Sequence, residues 1–225
     1  IINSPNDGVD TPRDLDFHPT LTRFELWVLN KGTENSGGST VRFENVGFGD
    51  QDSEYEQDGN AWHFMSLPTA LAFGENGNFA TSPGVYDANH DGGGPFTGPS
   101  LWSSVDEIYA EPSGGNGSHL DMLHASPRAQ GIAHEVGNAY WVVDGENKDI
   151  VRYDFADDHG PGNSYHGDAI IHRFADFEIE KDPADHIVSH CVLDKSTGWL
   201  YVVDHGNARV LRMDINTGGF AGVPS

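Results

Sequence analysis

Cysteine is almost missing from this 225-residue chain: Cys191 stands alone, so no internal disulfide can form. The cysteine-framework argument for an oxidising compartment is therefore absent. Basic residues are scarce as well, 12 Lys and Arg against 35 Asp and Glu, for a formal net charge of −23. A field of that sign repels phosphate backbones and argues against nucleic acid as a partner. It suits a protein that stays dissolved, lives in salt or attracts divalent cations. No apolar run approaches the ~20 residues of a membrane span, so membrane insertion is not expected. The first residues do not read as a secretory signal. The chain opens Ile1-Ile2-Asn3 without Met, which reads as a processed or excerpted piece. No stretch keeps a 3.6-residue apolar period between caps, so helix is expected to be nearly absent.

What the sequence does have is repetition. "NAYWVVDGENKDIVRYDF", Asn138 to Phe155, is answered by "GWLYVVDHGNARVLRMDI", Gly198 to Ile215. A third relative, "FELWVLNKGTENSGGSTVRFEN", runs from Phe24 to Asn45 with four extra residues between its halves. Strand-like runs precede these copies, at Pro12–Pro19, Pro127–Glu135 and Ile187–Lys195, and another at Pro68–Asn76 begins a degenerate fourth copy. Three further short runs, "AWHFMS", "HLDMLHA" and "IIHRFADFEI", lie upstream of copies. Segments of four to eight residues rich in Val, Ile, Tyr, Trp and Phe, split by Gly, Asn and Asp, are strands and hairpins. Four antiparallel strands per unit, copied along the chain, describe a propeller blade, which buries its faces only by stacking on neighbours. A β-sandwich also has many short strands but does not require copying. The expectation is one all-β domain over 1–225, with four-stranded blades at about 10–46, 60–111, 119–155 and 169–216.

The pattern Gly-Asn-apolar-Tyr/Trp-Val-Val-Asp followed by Asn-x-Arg/Lys-apolar-x-apolar-apolar-Asp resembles the NHL repeat. Gly131–Asp154 and Cys191–Asp214 carry it best, and Pro68–Glu111 departs most. The resemblance implies a β-propeller, usually of six blades. Four units are too few for six, because ~40–45 residues per blade would need roughly 250 or more. Either residues outside this sequence or another chain complete the ring, or the ring has four or five blades.

Candidate sites follow from residue chemistry. Asp87, Asn89 and Asp91 stand at alternate positions before Gly92 in "YDANHDGGG". This is the first half of a calcium loop, in which alternating oxygen donors face one centre. The Glu expected at the twelfth position is absent, residue 98 being Gly, so this is no EF-hand; a solvated Asx turn is the plain alternative. Asp50, Asp52, Glu54, Glu56 and Asp58 also alternate. On a strand they would share a face and repel unless a cation sat among them; their Gly-rich flanks favour a wet loop. His190 aligns with Asp14, Ala70 and Gln130 at positions facing a central channel. The resemblance extends to the zinc-dependent peptidyl-hydroxyglycine lyases, which take zinc from three inner histidines; here only His190 fits, with Asp14 as the sole other donor. Zinc needs three or four ligands at one point, so a structural His is the better reading.

His18 and His134 fall at an exposed strand-end turn. His159, His166 and His172 lie in a solvated, acidic insertion matching no known metal motif, with transition-metal binding a minor alternative. Arg42, Arg152 and Arg212 recur from copy to copy and are read as partners of carboxylates on exposed strand faces. Cys191 is expected to be buried and inert, and no nucleophile elbow or phosphate loop is present. Asn116 heads the one acceptable N-glycosylation sequon.

The three insertions, Gly84–Ser103, Ala110–His119 and Ala156–Gly167, are where function is expected, since the repeats are scaffold. The leading expectation is an extracellular, acidic, NHL-like propeller that binds protein or glycan partners or assembles with itself, with Ca²⁺ in a loop. The alternative, from another class, is a metal-dependent lyase or lactonase-like hydrolase with Zn²⁺ or another ion in the channel.

Overall fold

Runs rich in β-branched and aromatic residues form the strands, and several, such as Ala139–Asp144 and Trp199–Asp204, end at an Asp that opens a turn, so the backbone folds into successive hairpins. The computed structural model describes residues 6–111, 115–176 and 178–217. Part of the expected 110–119 insertion and the residue at 177 in "IIHRFADFEI" lie outside them. Blade 1 comprises β1 (Pro12–Phe17), β2 (Leu26–Thr33), β3 (Gly37–Glu44) and β4 (Asp52–Glu56). After the single-turn helix α1 (Ala61–Phe64), blade 2 comprises β5 (Pro68–Phe73), β6 (Phe79–Pro83), β7 (Ser100–Trp102) and β8 (Asp121–Met122). Blade 3 comprises β9 (Ile132–His134), β10 (Ala139–Asp144), β11 (Asp149–Asp154) and β12 (Ile170–Phe174). Blade 4 comprises β13 (Cys191–Asp194), β14 (Trp199–Asp204) and β15 (Arg209–Asp214). Every pairing within these sheets is antiparallel and sequential. The fold is all-β, a propeller of about four blades, and among the described residues no helix is long and apolar enough to cross a membrane.

Two boundaries differ from the sequence expectation. "HLDMLHA" and "IIHRFADFEI" supply β8 and β12, the outer strands of the preceding sheets, because each pairs with the strand before it. "AWHFMS" is the turn of helix α1, with Ala61 and Phe64 packed inward. The fourth sheet has three strands among the described residues, where four were expected.

The repeated Val-Val-Asp phrase has a structural cause. Asp144 and Asp204 are fully buried and fasten the hairpin turns that follow them. Asp144 Oδ1 accepts from the Glu146 and Asn147 amides at 3.0 and 2.9 Å, and Asn147 Nδ2 donates to Oδ2 at 2.8 Å. Asn207 Nδ2 donates to Asp204 Oδ2 at 3.0 Å. Both turns place one residue in the left-handed region, Lys148 at φ 64° and Ala208 at φ 51°. An Asx-fastened turn explains why Asp and Asn recur three residues apart.

Stacking of blades builds the core. Trp27 and Leu29 of blade 1 meet Leu71, Phe73, Phe79 and Trp102 of blade 2. Ala70, Ala80 and Leu101 of blade 2 meet Tyr140, Val142 and Tyr153 of blade 3. Trp141, Val143 and Ile150 of blade 3 meet Leu200, Val202 and Met213 of blade 4. Among the described residues no apolar cluster joins blade 4 to blade 1. There the contacts are polar: Arg13 donates to the carbonyls of His186 and Asp185, both at 3.1 Å.

Candidate functional site: a histidine-lined pocket at the rim of blade 2

The inner strands bring together the two channel residues singled out from sequence. His190 Nδ1 and Asp14 Oδ2 are 3.8 Å apart, at the edge of a cavity of about 390 Å³. The Asp14 carboxylate also accepts from the Leu71 amide at 3.0 Å, and Asp16 does the same for Phe73 at 2.9 Å. Burial pushes both acids above the ordinary carboxylate range. Opposite them Lys195 Nζ lies 3.0 Å from Glu75 Oε1 and 2.7 Å from His134 Nδ1. Lys195 thus shares the cavity with Asp14 and His190, and no third metal donor is grouped with those two among the described residues.

The other candidates fall as follows. Asp87, Asn89 and Asp91 share one turn, but Asp87 spends its carboxylate on the amides of Asn89, Asp91 and Gly92 at 2.9, 3.2 and 3.0 Å. Asp91 Oδ1 accepts from the Gly93 amide at 2.8 Å. Asn116 is exposed, while its sequon partner Ser118 is buried with its hydroxyl 2.7 Å from Asp58 Oδ2. His18 and His134 are buried, correcting the exposed-turn reading: His18 packs edge-on to Phe73 and bonds Ser104 Oγ at 3.0 Å. The acidic run is no wet loop, since Asp52–Glu56 forms β4. The cation its alternation demanded is the buried Arg42, which pairs with Glu54 and Asp106. Arg152 pairs with Glu135 at 2.8 Å, whereas Arg212 lies over the Trp199 ring, 4.3 Å from its centroid. Cys191 is partly buried, and desolvation drives its thiol pKa upward.

A different place gathers the chemistry. A cavity of about 430 Å³ surrounds β8, and all three insertions reach it, through Phe96, Asn116 and His166 among others. The segment His119–His124 contributes His119, Met122 and His124 to its lining. The segment is pinned at its start by Ser118, whose amide and hydroxyl both reach Asp58 Oδ2 at 2.7 Å. His119 stacks flat on Phe64 with ring centroids 3.6 Å apart, and His124 on Phe96 at 3.8 Å. The 156–167 insertion runs alongside: the His159 amide donates to Leu120 O at 3.2 Å and the Gly162 amide to His119 O at 3.0 Å. Gly160 and Gly162 take φ 75° and 69°, turns that suit glycine.

This docking sets His159 and His166 against Asp121. One donor atom from each of the three lies within 4.8 Å of the others. His166 Nδ1 is 2.6 Å from Asp121 Oδ1, and His159 Nδ1 faces Gly160 O at 2.7 Å. Asp121 is fully buried with Oδ2 unpartnered, and His159 Nε2 and His124 Nε2 are buried without partners. Desolvation raises the Asp121 pKa against the pull of His166, and lowers His119 to about 3 and His124 to about 4. Imidazoles held neutral keep a lone pair for a ligand. The histidines of 156–167 were visible in the sequence. Their partners His119, Asp121 and His124 were missed, because H-x-D-x-x-H reads as an ordinary outer strand until the topology folds a loop 40 residues away onto it.

No known family profile matches the chain, and no curated protein matches it in sequence. Among solved structures it is similar to hydrazine synthase from Kuenenia stuttgartiensis, with a TM-score of 0.53 and 11% identity over 90% of this chain and 58% of that one. A weaker likeness is to an auxiliary nutrient binding protein from Bacteroides ovatus, with a TM-score of 0.45 and 15% identity over 92% of this chain and 39% of that one. At 11% identity the first match speaks for the propeller-type fold alone. The chain spans little more than half the length of the first and less than half of the second.

Proposed function

We propose that this chain is an extracellular, NHL-like propeller acting as a binding module for neutral glycans, with the pocket around β8 as its working surface. The observation that carries the reading is the convergence of three separate insertions on one cavity, when loops of a repeat fold are free to diverge. The lining suits a sugar. Trp62 is 39% exposed and offers an apolar ring face, while Asn60, Asn116 and Asn163 supply amide donors and acceptors. A few placed polar groups beside aromatic walls are the ordinary make-up of a small-ligand site. The net charge of −23 disfavours polyanionic sugars. Calcium at Asp87, Asn89 and Asp91 belongs to the same proposal as a brace for one pocket wall, since Asn89 lines the cavity.

Calorimetric titration with neutral oligosaccharides tests the reading. Trp62→Ala should weaken binding at least tenfold and Asn163→Ala severalfold, while His205→Ala, outside the pocket, leaves it unchanged. Binding that survives Trp62→Ala, or no binding across a broad neutral panel, overturns it.

A further inference from the structure

We infer that Asp121, His159 and His166 form a binding site for a divalent transition-metal ion of the zinc type, beside the same pocket, which His166 lines. The inference stands apart from the glycan reading, because it rests on donor atoms and not on the pocket's aromatic wall.

Three observations carry it. Two imidazoles and a carboxylate from segments about 40 residues apart converge, with one donor atom of each inside 4.8 Å. Donors bound at about 2.1 Å to a tetrahedral ion lie about 3.4 Å from one another, so each pair needs to shift by at most about 1.4 Å. Next, donor atoms are buried and idle: Asp121 Oδ2 and His159 Nε2 have no hydrogen-bond partner. A buried carboxylate oxygen left unpaired is costly, and a cation satisfies it. Last, the supporting bonds are those a metal site uses. His159 Nδ1 faces Gly160 O, which assigns the proton to Nδ1 and leaves Nε2 its lone pair. His166 Nδ1 lies 2.6 Å from Asp121 Oδ1, so this imidazole and carboxylate already meet at one point, where an ion would displace the proton they share.

The chemistry selects the ion. Imidazole nitrogen with a single carboxylate suits Zn²⁺ and its first-row neighbours, whereas Ca²⁺ and Mg²⁺ take oxygen-only sets. Three protein ligands leave a position open, and of the three His166 lines the cavity. His119 stands close by, its ring centroid 5.0 Å from that of His159. The chain's negative field raises the local concentration of any dication.

The test uses the whole chain, stripped with a strong chelator and titrated with ZnCl₂ against a competing indicator dye, with bound metal counted by mass spectrometry. One ion per chain is expected. His159→Ala and His166→Ala should each weaken binding at least tenfold, and His172→Ala and His205→Ala should not. Asp121→Asn can perturb folding, so His159→Gln, which keeps the volume, serves as the second arm, with circular dichroism confirming a native sheet. Co²⁺ in place of Zn²⁺ should give the intense visible bands of a four-coordinate nitrogen–oxygen site, lost in His166→Ala. Sub-stoichiometric zinc, or binding reduced equally by His205→Ala, overturns the inference. Neither result depends on whether a sugar binds.

Discussion

A single atom separates Trp27 from Trp141, although both are fully buried at matching positions of their blades. Trp27 Nε1 donates to Glu25 Oε2 at 3.1 Å, and Glu25 is itself buried and held by Arg23 at 2.7 Å. Trp141 Nε1 is buried with no partner. Replacing Trp27 by Phe therefore strands a buried carboxylate oxygen, while the same change at Trp141 removes an unpaired donor. Unmet buried groups cost about 1–3 kcal/mol, so Trp27→Phe should destabilise by about 1 kcal/mol more than Trp141→Phe in urea unfolding. Equal losses would refute the argument. The sequence made both indoles legible as core, through the phrase they share. It did not reveal their polar ends, because Glu25 is matched by Ala139 and Trp199 in the other copies and Arg23 lies outside the phrase. His18 and His134 were misjudged for a related reason: a strand-end position suggested exposure, and a neighbouring blade covered it.

β4 shows how an element can defeat the composition of its flanks. Gly47, Gly49 and Gly59 bracket the acidic run, yet Asp52 to Glu56 pairs in register with β3 because Arg42 lies opposite Glu54. Arg42 also serves Glu44 at 3.2 Å as well as Asp106. Glu56 is the residue this arrangement leaves short: its Oε2 is buried without a partner. Desolvation, with repulsion from Glu54, Asp106 and Glu111 added, raises its pKa from 4.5 to about 7 against the pull of Arg42. A carboxyl whose folded pKa exceeds its unfolded value holds its proton longer in the native state, so its contribution to stability falls as pH rises from about 4.5 to about 7. Glu56→Gln removes that dependence. Relative to the wild type, the variant should gain stability between about pH 5 and about pH 8, by no more than about 1 kcal/mol given the solvent screening of a half-buried group. Chemical denaturation at several pH values reads this directly, and a gap between the two proteins that stays constant with pH would contradict it. The run's alternation was readable from the sequence. That its counter-ion is an arginine from the neighbouring strand required the register.

Across the described residues the blades are not equivalent, because stacking covers two of them on both faces, and among those residues nothing covers one face of blade 4. Trp141, Val143 and Ile150 of blade 3 are at most 1% exposed beneath blade 4. Tyr201, Val203 and Val210 hold the matching places in blade 4, and there Val203 is 45% and Val210 68% exposed, with Val192 beside them at 63%. On the far side Leu15 and Phe17 of blade 1 are also open, while Val9 and Val46 partly cover the Leu26–Phe43 face. Four wedges that lend each other an interior have two ends unless the ring closes, and the copied phrase left both arrangements open. At about 25 cal/mol per Å² of apolar surface buried, a blade covered on one side lacks much of the stabilisation its neighbours receive. Repeat arrays distribute stability in this way, through nearest-neighbour interfaces. The amides of β13 to β15 should therefore exchange with solvent through a lower-energy opening than those of β9 to β11, at least tenfold faster in the native state. Hydrogen-exchange mass spectrometry on peptides covering Val142–Tyr153 and Val202–Met213 makes the comparison between residues of the same repeat position. Equal protection would mean that blade 4 draws stability from something other than blade 3, with its bare face covered in solution. Repeating the exchange at several protein concentrations then separates self-association from an intrinsically stable blade.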